Sequence, residues 1–149
     1  MDFKVRIEEN LKESLKKKDT IRTSLLRMLL ASIKNKEVEK IGTLTESEFY
    51  ALVRSSIKQH HESIESFKKG NRFDLVEKEE KELEILNEFL PASMTIEEIS
   101  KEIEEAVITL GASSQKEMGK VIKFLMEKHP GRLDGKIVSE MVRKRLSSP

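Results

Sequence analysis

Cysteine is absent from the 149 residues, which excludes disulfides, thiolate metal sites and cysteine nucleophiles. Tryptophan is also absent and tyrosine occurs once, while the phenylalanines mostly fall at core positions. Stacking of nucleic-acid bases on exposed rings is therefore not expected to contribute much. No stretch approaches the roughly 20 apolar residues that cross a bilayer. The opening Met1-Asp2-Phe3-Lys4-Val5-Arg6 is charged where a signal peptide carries an apolar run. These absences lead to an expectation of a cytoplasmic protein without membrane association. The length suits one domain or two small ones and is enough to bury a core without disulfides or metals.

Catalytic signatures are missing as well. Gly119-Lys120 is followed by Val121 and has no glycine five residues before it, so it is not a phosphate-binding P-loop. No segment sustains period-2 alternation, so no strand is available to precede a G-x-G-x-x-G turn. Serines are plentiful, but none sits in a nucleophile-elbow context. His60 and His61 are adjacent, so on a helix they point about 100° apart and do not readily share an ion. His61 and Glu65 at i, i+4 have ligand spacing, but they read as a solvated helix face in preference to a metal site. The carboxylates between Glu77 and Glu88 read as a solvated acidic face. Neither a cofactor, a metal nor a self-sufficient catalytic centre is expected.

Helical periodicity is present throughout. Phe3, Ile7, Leu11 and Leu15 mark a first helix, and Ile21, Leu25, Met28, Leu29 and Ile33 a second that Gly42 would stop. Thr45-Glu46-Ser47-Glu48 has capping-box spacing and opens a third helix that runs to Gly70. Asn71 and Asp74 read as the cap of a fourth, with Phe73, Val76, Leu83, Leu86 and Leu90 apolar and Pro91 ending it. Beyond it, Thr95 caps a helix closed by Gly111, and Ser114-Gln115-Lys116-Glu117 reads as a second capping box. That helix ends near His129-Pro130-Gly131, and Asp134 caps a last one carrying Ile137, Val138, Met141 and Val142. The reading is all-α: an N-terminal helical domain of about four helices over 1–91, then a three-helix bundle over 92–149. A core stripe and an exposed apolar stripe read alike, which leaves the oligomeric state open.

Charge is unevenly placed although the net is only +1. Residues 1–40 carry 11 basic and 7 acidic groups, residues 41–90 carry 7 and 11, and residues 112–149 carry 9 and 4. Local excesses of this kind steer partners more than the whole-chain sum does. Lys116, Lys120 and Lys123 fall at i, i+4, i+7, opposite Met118, Val121, Ile122 and Leu125. Gly119 sits inside this helix at a cost of about 1 kcal/mol relative to alanine, which a close approach by a neighbouring helix or by a phosphate would explain. Arg132 and Lys136 lie in a loop leading to a helix N-terminus, a setting that favours anions. Arg27, Asn35 and Glu37 either line a polar groove or pair with neighbouring helices.

Met118-Gly119-Lys120-Val121, Gly131-Arg132-Leu133-Asp134-Gly135-Lys136-Ile137-Val138-Ser139 and the closing Leu146 resemble the YqeY-like family. Leu26–Glu37, Ser63–Leu75 and Leu86–Pro91 match it in the same order. That family shares its tail domain with the B subunit of the glutamine-dependent aspartyl/glutamyl-tRNA amidotransferase. The resemblance implies an N-terminal helical domain joined to a three-helix tail, and contact with tRNA or another structured RNA. Carried over, Gly119, Lys120, Gly131, Arg132 and Lys136 are the implied contact positions, with Lys116 and Lys123 on the same basic face. It also implies a carbon–nitrogen ligase activity with glutamine as amide donor, exercised only with partner subunits such as an amidotransferase. Asp134-Gly135 stands where the amidotransferase tail commonly has Asn-Pro, so that asparagine's contacts do not transfer. A reading of another class is a protein–protein adaptor presenting the acidic fourth helix to a basic partner such as a tRNA synthetase.

Overall fold

The computed structural model describes residues 2–147. Among them are seven α-helices and one 3₁₀ turn, with no strand, so the fold is all-α. The helices are α1 (Phe3–Lys16), α2 (Thr20–Lys40), α3 (Glu46–Lys69), α4 (Phe73–Asn87), α5 (Ile96–Leu110), α6 (Met118–Lys128) and α7 (Gly135–Ser147), and the 3₁₀ turn, Gln115–Glu117, precedes α6. The chain divides between Leu90 and Pro91 into two compact units, the first holding α1–α4 and the second α5–α7.

In the first unit α3 packs along α4, and α2 packs against both α1 and α4. Its core gathers Ile7, Leu25, Leu26, Leu29, Ile33, Phe49, Val53, Ile85, Leu86 and Phe89. Phe3 stacks on Phe49 with ring centroids 4.3 Å apart, and Phe89 meets the same ring edge-on at 6.5 Å. Such pairs add about 1 kcal/mol each beyond the area they bury. Leu15, Met28 and Phe73, expected on apolar faces, are exposed, while Leu90, half-buried beyond the end of α4, packs against this core. In the second unit α5, α6 and α7 enclose Ile99, Ile103, Ala106, Val121, Leu125, Leu133, Val138 and Val142. Each fully buried aliphatic side chain contributes about 1.5–3 kcal/mol.

Helix termini show where local sequence decides. Thr45 and Glu48 form the reciprocal capping box, each accepting the other's backbone N–H. Thr95 accepts from Glu98 N, and Asp134 Oδ1 from Lys136 N. Ser114 makes no such bond: the Glu117 carboxylate accepts from Ser113 N instead, and the chain passes through the 3₁₀ turn before α6 begins. Four helices, α1, α2, α3 and α5, end in the same paired bonds of a Schellman motif, with a left-handed residue just past the helix. That residue is Gly111 after α5, but Lys18, Ile41 and Asn71 after the others. Gly42 and Gly70 each stand one residue away from the left-handed position. Asn71 therefore closes α3 and does not cap α4, whose N-cap Arg72 makes no capping bond and pairs with Asp74 at 3.2 Å.

Candidate nucleic-acid interface

The cations of the second unit include two contrasting sets. Carboxylates of helix α5 take up three of them. Arg132 donates to the Ala92 carbonyl at 3.0 Å and reaches Glu98 at 3.5 Å. Lys128 Nζ lies 3.1 Å from Glu102, which His129 also approaches at 3.1 Å, and Arg145 pairs with Glu104. Hydrogen bonding to His129 and then Lys128 holds the Glu102 carboxyl below its ordinary range. Lys116, Lys120, Lys123, Lys136 and Arg143 form the other set. They are exposed, and none of them makes an ion pair or side-chain hydrogen bond among the described residues.

Lys120 and Lys123 are i, i+3 neighbours on α6, which puts them on one helix face. Lys116 lies in the 3₁₀ turn and not on α6, so the three do not form one continuous helical line. Lys136 is the second residue of α7. Gly119 is in the first turn of α6, and a Cβ built there would meet nothing within 4 Å. Close packing by a neighbouring helix, the structural reason expected for this glycine, is therefore not the cause. Gly131 takes φ +76° in the loop ahead of Arg132, a conformation that favours glycine. Arg132 differs from the lysines because its guanidinium and carbonyl both bind the Ala92–Met94 segment.

In the first unit, Arg27, Asn35 and Glu37 do not share a groove. Glu37 accepts from Lys4 Nζ at 2.6 Å and from Leu44 N at 2.8 Å, which lowers its carboxyl pKa. Asn35 lines a shallow groove between α2 and α3, and Arg27 borders a different concavity beside Leu15. The acidic side of α4 is thinner than its sequence suggests. Glu79 and Glu82 turn inward towards α3, where His60 is buried. His60 Nδ1 lies 2.8 Å from the Ser56 carbonyl, and Nε2 lies 2.9 Å from Glu82 and 3.6 Å from Glu79. Among the described residues this is the one group of three with metal-ligand placement. His61 and Glu65, which have ligand spacing but read as a solvated helix face in the sequence, are both exposed. The signal for His60 was nevertheless there: Phe49, Val53, Ile57, His60, Ile64 and Phe67 recur at spacings of 3 and 4, so His60 occupies a core position of α3.

Comparison with known proteins adds the family. The profile of the family described as Yqey-like protein matches residues 4–146, which covers both units. Altered inheritance of mitochondria protein 41 of Lachancea thermotolerans is 41% identical over 91 residues, covering 60% of this chain and 49% of the relative. The protein of the same name from Kluyveromyces lactis is 38% identical over 58% of this chain and 47% of its own length. The one from Pyrenophora tritici-repentis is 28% identical over 142 residues, 93% of this chain and 78% of the relative. The chain spans about half the length of the first two of these curated relatives. All three carry a mitochondrial designation, and that finding overturns the cytoplasmic address expected from the sequence. No helix among the described residues is long and apolar enough to cross a membrane. With a profile match over nearly its entire length, the chain belongs to the Yqey-like protein family.

Proposed function

We propose that this chain is an RNA-binding accessory protein that docks structured RNA, tRNA in the first instance, on the lysines of its second unit. The observation that carries the reading is the segregation of cations. Helix α5 neutralises Arg132, Lys128 and Arg145, while Lys116, Lys120, Lys123 and Lys136 are exposed and make no ion pair among the described residues. An unpaired lysine gives a phosphate nothing to displace but water and small ions, so its charge is available for binding. The open surface at Gly119, between Lys116 and Lys120, lets a backbone approach α6 closely. Such a face reads charge and shape and not sequence. The link to tRNA comes from the tail-domain resemblance, and a role beside partner subunits of a tRNA-dependent amidotransferase is its extension.

The adaptor reading loses ground on α4. Glu79 and Glu82 point inward and Glu77 pairs with Lys81, which reduces the acidic face open to a partner chiefly to the exposed Glu80 and Glu84.

The test is a fluorescence-anisotropy titration of the purified chain against labelled tRNA, beside a Lys120→Glu/Lys123→Glu double variant. Both side chains are exposed and unpaired, so the variant should keep its thermal midpoint. Binding that weakens at least tenfold in the folded variant supports the reading. Equal affinity in the variant contradicts it.

A further inference from the structure

We infer that His60, Glu79 and Glu82 form a binding site for a divalent first-row transition ion of the zinc type. Helices α3 and α4 build the site. His60 lies on α3 one turn before the buried Ile64, and Glu79 and Glu82 lie on α4 between the buried Val76 and Ile85. Polar groups thus occupy positions in an apolar seam, where desolvating them costs free energy unless something compensates. Only 9% of the His60 side chain, 12% of Glu82 and 20% of Glu79 is exposed.

The protons on the imidazole narrow the options. A backbone carbonyl only accepts, so the 2.8 Å contact with Ser56 puts a hydrogen on Nδ1 and fixes the tautomer. Nε2 then turns its lone pair towards two carboxylates, which also only accept. Either a second proton or a metal ion must stand between them. A second proton leaves the three groups at net −1, whereas a divalent ion on a neutral ring brings them to zero. An Nδ1–H held by a backbone carbonyl is also the usual outer support of a metal-binding histidine.

The spacing fits. Ligands bound tetrahedrally at about 2.0–2.2 Å sit about 3.3 Å apart, and the two Nε2–oxygen distances, 2.9 and 3.6 Å, bracket that value. All three donor atoms lie within 4.8 Å of one another. One imidazole with two carboxylates favours zinc or a neighbouring ion over calcium or magnesium, which prefer all-oxygen sets. Bundles commonly hold metals in this way, from side chains on facing helices.

The experiment is isothermal titration calorimetry of the full chain, stripped with chelator, with Zn²⁺ and Co²⁺, and with Mg²⁺ and Ca²⁺ as comparisons. The inference expects one Zn²⁺ per chain, with affinity at least tenfold weaker in both Glu79→Gln and Glu82→Gln. With Zn²⁺ at about 100 times Kd, the thermal midpoint of the first unit should rise by roughly 11–22 °C in the unsubstituted chain. No Zn²⁺ uptake, or Mg²⁺ and Ca²⁺ binding as tight as Zn²⁺, overturns it. If Glu82→Gln does not fold, Glu79→Gln decides alone, because its carboxylate makes no hydrogen bond to the ring. Unchanged Zn²⁺ affinity in that variant assigns the cluster to a structural imidazolium–carboxylate pair and overturns the site.

Discussion

Replacing Ile41 with glycine should stabilise the first unit. Ile41 follows α2 at φ 59°, ψ 51°, in the left-handed region. For a β-branched residue this conformation is a genuine outlier, costing about 1–2 kcal/mol from the clash of Cβ with its own backbone. The side chain is 92% exposed, so its removal forfeits almost no burial. Against the relief stands the greater freedom of glycine in the unfolded chain, about 0.4–1 kcal/mol. The net gain is about 0.5–1 kcal/mol, which for a unit of about 90 residues raises the midpoint by roughly 2–8 °C. Gly111 supplies the opposite control. It holds the equivalent position after α5 at φ 65°, so Gly111→Ala should cost the second unit about 1 kcal/mol. Urea unfolding followed by circular dichroism reads both changes. A loss of stability in Ile41→Gly would refute the argument, because it would mean that the isoleucine side chain matters more than its backbone strain.

Gly119→Ala should raise stability by up to about 1 kcal/mol, since the new methyl meets open space and alanine favours the helix; if RNA approaches α6 there, tRNA affinity should fall in the same variant. Arg132→Glu should destabilise the second unit by about 1–2 kcal/mol in urea unfolding, because it breaks the bond to the Ala92 carbonyl and sets a carboxylate beside Glu98. Any loss of RNA binding in that variant would therefore not isolate a phosphate contact. Glu48 is held down to about 2, chiefly by hydrogen bonding to Lys40 and then to Thr45, against an ordinary value of 4.5. A carboxyl depressed in the folded state stabilises fully above its unfolded value, and that contribution is lost as pH falls from about 4.5 towards 2. The thermal midpoint of Glu48→Gln should accordingly depend less on pH in that window than that of the unsubstituted chain.

Much of this fold could be read from sequence because local rules and tertiary packing agree. Thr45 and Glu48 stand at the spacing the capping box needs, and Thr95, Gly111 and Asp134 behave as their chemistry dictates. Misreadings occur where two residues competed for one role. Glycine tolerates the left-handed turn best, yet it stands beside that turn after α2 and α3, because the hydrogen-bond register of each helix end fixes which residue takes it. Phe73 looks apolar in sequence but stands at the start of α4, where it stays 61% exposed. At the candidate interface the lysines were legible as a charge excess. That Arg132 is committed to Ala92 and Glu98 was not, since those partners lie 40 and 34 residues away. The role of His60 is obscured for a different reason. Beside His61 it reads as half of a pair that the helix splits, which masks its place in the apolar stripe of α3.

The central claim is that unpaired lysines of the second unit neutralise RNA phosphates, and the salt dependence of tRNA binding tests it most directly. Four phosphate contacts predict a log–log slope of about −3 to −4 and a loss of about 100-fold in affinity between 50 and 200 mM salt. Removing two of those contacts with Lys120→Glu/Lys123→Glu should make the slope shallower by about 2. Absence of binding at the lowest salt, or a slope that the double variant leaves unchanged, would contradict the account.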